Sequence, residues 1–197
     1  MKRLAVYCGS ATPADPRYVD LARDVGTALA RQGIGVVYGG GRLGLMGAIA
    51  GAALAAGGEC IGVIPEALVG RNGKGGEVAN YECELEIVQT MHERKARFTE
   101  LSDGFLVLPG GVGTMDELWE AVSWAQLGYH NKPVGVLNAF GFYDGLLEFN
   151  RHMAEVGFVR PAHQGILMAE DTLDPLLDRM RAHQPIVPIV NMDPKTL

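Results

Sequence analysis

From the amino end, the chain alternates short apolar runs with longer segments whose apolar side chains return every three or four residues. Arg3–Cys8 (RLAVYC) reads as a strand. Pro16 to Gln32 carries a stripe at Val19, Ala22, Val25 and Leu29 and stops at Gly33, as a glycine-capped helix does. Ile34–Tyr38 is a second strand, followed by Gly39-Gly40-Gly41 and a small-residue helix to Ala56, and Cys60–Ile64 is a third strand before Pro65. Residues 70–80 (GRNGKGGEVAN) have no periodicity and read as a flexible loop, a candidate lid. Beyond it the pattern predicts strand Glu84–Val88, helix Met91–Leu101, strand Gly104–Leu108 and a helix from Met115 to about Leu127. Strand Val134–Leu137, helix Tyr143–Glu155 and a strand–helix pair over 166–181 complete it, and from 183 on the proline-bearing tail is irregular.

Repeated strand–helix units with continuous apolar strands predict a parallel sheet covered by helices on both faces. Right-handed crossovers make this an α/β, Rossmann-like, doubly wound fold, with ligands at the carboxyl ends of the strands. No internal boundary or repeat interrupts residues 1–197, so one nucleotide-binding domain is expected.

Composition narrows the chemistry. A net charge of −6 argues against nucleic acid or an anionic membrane as partner, so any phosphate must be held by local geometry. Cys8, Cys60 and Cys83 are odd in number and lack CxxC spacing, which suggests neither a disulfide framework nor a zinc site; Cys8 and Cys60 read as buried, inert thiols. The histidines show no ligand spacing, and no apolar run is long enough to span a bilayer. A cytoplasmic protein without metal or dinucleotide cofactor is expected. The 27 glycines, about twice the usual share of roughly 7%, cluster where predicted strands end, so backbone there presses close to something.

Two glycine loops matter. Gly39-Gly40-Gly41-Arg42-Leu43-Gly44 satisfies GxGxxG, but it follows the second strand and lacks an acidic residue at the end of the next, which speaks against a dinucleotide. A tight packing turn and a phosphate or sugar contact remain open for it. The second loop, Pro109-Gly110-Gly111-Val112-Gly113-Thr114-Met115-Asp116-Glu117, joins the most apolar strand to a helix, and its amides with the helix dipole suit an anion. Gly9-Ser10, ending the first strand, faces the same crevice on topology. Thr114 and Glu117 also have the spacing of a capping box, so Glu117 reads either as a cap or as a functional carboxylate.

The segment Met91-His92-Glu93-Arg94-Lys95 is the other anomaly. Helical spacing puts Arg94 on the apolar face with Met91, Phe98 and Leu101, where a guanidinium needs a carboxylate or phosphate unless it snorkels outward. Lys95 points to an adjoining face within reach of the same anion.

Together, MHERK at 91–95 and PGGVGTMDE at 109–117 resemble the LOG family of cytokinin riboside 5′-monophosphate phosphoribohydrolases, whose pattern is PGGxGTxxE. The likeness runs from Arg3 to about Val159 and includes CGS at 8–10, GGGRLGLMG at 39–47, SWAQLGYH at 123–130 and KPVG at 132–135. The resemblance implies hydrolysis of a nucleoside 5′-monophosphate to free base and ribose 5-phosphate, with Arg94 and Glu117 as catalytic pair. It further implies that Lys95, Gly110, Gly111, Val112, Gly113, Thr114, Met115, Asp116 and Ser123 line the nucleotide site, joined by Glu77. A homodimer is implied as well; Leu118, Trp119 and Trp124, spread over more than one helix face, point the same way. The alternative class is a non-catalytic nucleotide or cofactor carrier, which needs the glycines but not a carboxylate at the ribose.

Overall fold

The computed structural model describes residues 1–69, 79–80 and 82–190. Among them, seven parallel strands form one sheet in the order β4-β3-β2-β1-β5-β6-β7. The strands are β1 Arg3–Tyr7, β2 Gly35–Tyr38, β3 Cys60–Pro65, β4 Glu84–Val88, β5 Phe105–Val107, β6 Val134–Leu137 and β7 Leu167–Glu170. The helices are α1 Arg17–Arg31, α2 Gly44–Ala55, α3 Met91–Leu101, α4 Val112–Leu127, α5 Asp144–Glu155 and α6 Leu173–Arg181.

Side chains alternate across the pleat, so the inner strands feed two cores. Leu4 and Val6 join α1, α2 and α6 residues such as Leu29, Ile49 and Leu176 on one face. Ala5 and Tyr7 join Phe98, Leu118 and Tyr143 from the α3, α4 and α5 side on the other. The doubly wound expectation therefore holds. The chain runs outward from β1 to β4, and α3 then returns it to β5, which pairs with β1 on the other side. This reversal between β1 and β5 opens a crevice at their carboxyl ends.

Most predicted elements appear with ends moved by a residue or so. The departure that matters is α4, which starts at Val112, three positions before Met115. Gly111 adopts an extended N-cap conformation and its carbonyl accepts from Met115 N at 3.1 Å, which draws Val112, Gly113 and Thr114 into the first turn. Of the aperiodic stretch 70–80, only Ala79 and Asn80 are described; Asn80 N donates to Gly40 O at 2.9 Å and Ala79 bridges Gly41. Residues 183–190 carry no regular element, as the prolines suggest. No helix among the described residues is long and apolar enough to cross a membrane.

Candidate active site

The turn from β5 to α4 is fixed before the helix begins. Leu108 N donates to Tyr7 O at 2.9 Å, Gly9 N donates to Pro109 O at 3.1 Å, and the buried Tyr143 Oη donates to Leu108 O at 2.6 Å. Tyr143 thus reaches over from the β6–α5 connection to hold the glycine loop, a role its sequence context does not advertise. Gly110 is held tightly: a Cβ there would meet Thr114 Oγ1 at 2.1 Å and Gly9 N at 2.9 Å.

Helix α4 then opens toward the crevice with no side-chain cap and no acidic residue in its first turn. Its first intrahelical bond is made by Met115, so the amides of Val112, Gly113 and Thr114 have no acceptor within the helix. An anion placed there meets several N–H groups and the positive end of the dipole. The capping-box alternative for Glu117 is overturned. Thr114 is already the third helical residue, and Glu117, 7% exposed, lies a turn further in. A capping arrangement of that kind operates instead on α3, where Thr90 Oγ1 accepts from Glu93 N at 3.1 Å and Glu93 Oε2 from Gln89 N at 2.7 Å. The T-x-x-E signal for it stood in the sequence at 90–93.

Arg94 does not snorkel. Its guanidinium, in a residue 3% exposed, turns inward over the ends of β2 and β3. Nε donates to Val63 O at 3.0 Å and Nη2 to Gly39 O at 2.8 Å, and the Phe98 ring lies 5.5 Å from Cζ. These carbonyls meet the desolvation cost that a lone buried cation would carry. A Cβ on Gly39 would stand 2.1 Å from Nη2, so the first glycine of GxGxxG is what admits the arginine.

Arg94 and Glu117 line one cleft of about 240 Å³ at the β1/β5 reversal, together with Cys8–Ala11, Met46, Met91, Gly111–Thr114 and Asp116. Beneath it lies Tyr7, its ring stacked 5.7 Å from Phe105. Burial, and then the negative charges of Glu117 and Glu120, push its phenol well above the usual range, so Tyr7 stays neutral.

Of the anticipated site residues, the cleft gathers Arg94, Gly111, Val112, Gly113, Thr114, Asp116 and Glu117. It does not gather the others. Lys95, 8% exposed, donates to Glu120 Oε2 at 2.6 Å and Asp116 Oδ2 at 3.2 Å, clamping α3 to α4. Burial alone would pull the Lys95 ammonium down, but its bonds to Glu120 and Asp116 outweigh that and hold it above the ordinary lysine value. Met115 packs against the core, Gly110 sits behind Thr114, and Ser123 faces a separate groove between α4 and α5. Glu77 lies outside the described residues. Met46 and Met91 are additions; Met91 could have been inferred, since it shares Arg94's helix face.

Against known proteins, a family model described as "Possible lysine decarboxylase" matches residues 46–180. The cytokinin riboside 5′-monophosphate phosphoribohydrolase LOG1 of Arabidopsis thaliana is 42% identical over 184 residues, covering 93% of this chain and 84% of that one. The probable cytokinin riboside 5′-monophosphate phosphoribohydrolase LOGL1 of Oryza sativa subsp. japonica is 43% identical over 190 residues, covering 94% and 83%. Among solved structures, the molybdenum cofactor carrier protein of Chlamydomonas reinhardtii has a TM-score of 0.62 at 19% identity, covering 91% of this chain and 94% of that one, a likeness of fold alone. On sequence shared across nearly its whole length, the chain belongs to the LOG family of cytokinin riboside 5′-monophosphate phosphoribohydrolases.

Proposed function

We propose that this protein hydrolyses the N-glycosidic bond of adenosine 5′-monophosphates, N6-substituted ones included, to the free base and ribose 5-phosphate. The observation that carries the reading is a buried carboxylate, Glu117, one helical turn from an uncapped glycine-rich N-terminus and in the same cleft as a buried arginine. The family relatives support it by name.

Departure of the base leaves positive charge on the ribose, as in other glycoside hydrolysis. With the phosphate on the amides of Gly111–Thr114, the ribose extends from α4's first turn toward Glu117. The Glu117 carboxylate stabilises the oxocarbenium-like ribose or draws a proton from the attacking water. Arg94, immobilised by Val63 O and Gly39 O, supplies a fixed donor for substrate oxygens in the same cleft as Glu117. Met46 and Met91 give the cleft an apolar wall suited to a purine. Binding energy at the phosphate orients the reacting carbon, so a substrate lacking it loses turnover.

The site needs neither metal nor nicotinamide in this reading. As family membership implies, we further propose a homodimer in the cytoplasm, formed as one nucleotide-binding domain per chain. Exposed Phe149 and Phe158 beside Trp119 line the α4–α5 groove that also carries Ser123, a suitable face for a second copy.

The test is incubation with AMP, N6-isopentenyl-AMP and adenosine, followed by chromatography of free base. Base should appear from the phosphorylated substrates, in EDTA and without NAD. Equal turnover of adenosine and AMP would remove the phosphate cradle from the account.

A further inference from the structure

On the far side of the loop that seats Arg94, three polar groups meet in an otherwise apolar layer. Cys60 is the first residue of β3, and Cys83 directly precedes β4. The register pairs Ile61 with Glu84, so one step earlier Cys60 stands opposite Cys83. Neighbouring strands lie about 4.8 Å apart, within the roughly 4.4–6.8 Å between Cα atoms that a disulfide spans. Both side chains pack toward the α1–α2 core, so they share a face of the sheet. Cys83 is half-buried and Cys60 is 3% exposed; neither is disulfide-bonded.

The surroundings distinguish the two sulfurs. Tyr38 Oη lies 3.2 Å from Cys83 Sγ, and Cys83 Sγ donates to Asn80 O at 3.3 Å. With the thiol proton directed at Asn80, the Tyr38 hydroxyl is left to donate into the sulfur. Hydrogen bonds from Cys60 and from Tyr38, against the effect of burial, bring the Cys83 thiol down to about 7. The same contact and burial push Cys60 up. One partner thus favours thiolate and is accessible, while the other stays protonated and enclosed, the division expected of an attacking and a resolving thiol.

We infer that Cys83 and Cys60 form a hydroperoxide-sensitive dithiol that closes to a disulfide. In the first step the Cys83 thiolate attacks one peroxide oxygen; the S–O bond forms, the O–O bond breaks, and the departing hydroxide takes a proton to become water. In the second, Cys60 sulfur attacks the Cys83 sulfenic sulfur, the S–O bond breaks, and its hydroxide leaves as water with the Cys60 proton. Overall two thiols and one hydrogen peroxide give one disulfide and two waters. Closure exchanges the Cys83 contacts with Tyr38 and Asn80 for the S–S bond, beside the point where Asn80 N is held on Gly40 O. Cys60 is then no inert core thiol. The inference stands apart from the hydrolase reading, since its readout is covalent.

The test uses the whole chain, reduced and freed of reductant, exposed to a slight excess of hydrogen peroxide, alkylated and digested for mass spectrometry. A cross-link joining the Cys60 and Cys83 segments is expected, reversed by dithiothreitol, with Cys8 still alkylatable. In Cys60→Ala, shown folded by circular dichroism, Cys83 should stop as a sulfenic acid trapped by dimedone. Before oxidation, iodoacetamide at neutral pH should label Cys83 at least about tenfold faster than Cys8 or Cys60. Peroxide that leaves both thiols alkylatable, or drives Cys83 to sulfinic acid without the cross-link, would overturn the inference, as would equal labelling of all three cysteines.

Discussion

Two loops of this protein look alike in sequence and are opposites in space. Both follow a parallel strand, both hold three or more glycines within a few residues, and both lead into a helix at the sheet's carboxyl edge. In Gly39–Gly44 the glycines are crowded: Gly39 gives way to the Arg94 guanidinium, and Gly40, at φ 73°, packs beneath Ile64 and Leu85. In Gly110–Gly113, Gly110 is equally crowded, but no described residue stands within 4 Å of where a Cβ would lie on Gly111 or Gly113. The first loop is glycine-rich to accommodate one of the protein's own side chains, the Arg94 guanidinium. The second leaves α4's first amides open toward the cleft, as the proposed phosphate site requires. A glycine motif therefore says that atoms approach closely, and only the three-dimensional neighbours say whose atoms they are.

The largest effect should come from crowding the first loop. Gly39→Ala places a methyl 2.1 Å from Arg94 Nη2 and against Met46, so the guanidinium must leave its seat on Gly39 O. Loss of about 1–3 kcal/mol of stability is expected by thermal or denaturant unfolding, with turnover down at least about a hundredfold because Arg94 is displaced. Near-normal activity would mean that the seat of Arg94 is not critical. The second loop should respond the other way. Gly113→Ala adds a methyl in open space within a helical first turn, so stability should hold or rise by up to about 1 kcal/mol. AMP affinity, by calorimetry, should fall roughly tenfold as the methyl enters the phosphate approach, an estimate of the scale of a lost charge-assisted contact. Unchanged affinity would place the phosphate elsewhere.

The smallest effect on the ligand should come from Lys95→Met. If the amides hold the phosphate while Lys95 clamps Glu120 and Asp116, AMP affinity should stay within about threefold. Stability should fall by about 1–3 kcal/mol as a partly buried carboxylate loses its partner. A large drop in affinity with intact stability would return Lys95 to the phosphate cradle.

Much of this was readable from the chain. The strand–helix alternation gave the doubly wound sheet because its inner strands are buried on both faces and therefore read as continuous apolar runs. Arg94 stood out because helical periodicity placed a charge among Met91, Phe98 and Leu101, and Gly9-Ser10 could be assigned to the crevice by topology. The start of α4 could not, because Gly111-Val112-Gly113 resembles a loop until Gly111 O is seen accepting from Met115 N. That same shift removed Glu117 from the helix end and settled its choice between cap and cleft. The ion pairs of Lys95 could not be read either, because Asp116 and Glu120 lie on another helix and no spacing along the chain brings them to it. Nor does sequence tell that Ser123, on the same helix as Glu117, faces the α4–α5 groove.

The central claim is that Glu117 acts on the substrate. Its place inside α4, buried and away from the helix end, makes Glu117→Gln a clean test, since glutamine keeps the shape and helix preference and removes only the charge. Turnover of AMP and N6-isopentenyl-AMP should fall at least about a hundredfold. AMP binding by calorimetry should persist within about tenfold, because the phosphate amides are untouched. A Glu117→Gln protein that folds, binds AMP and releases base at close to the native rate would contradict the account.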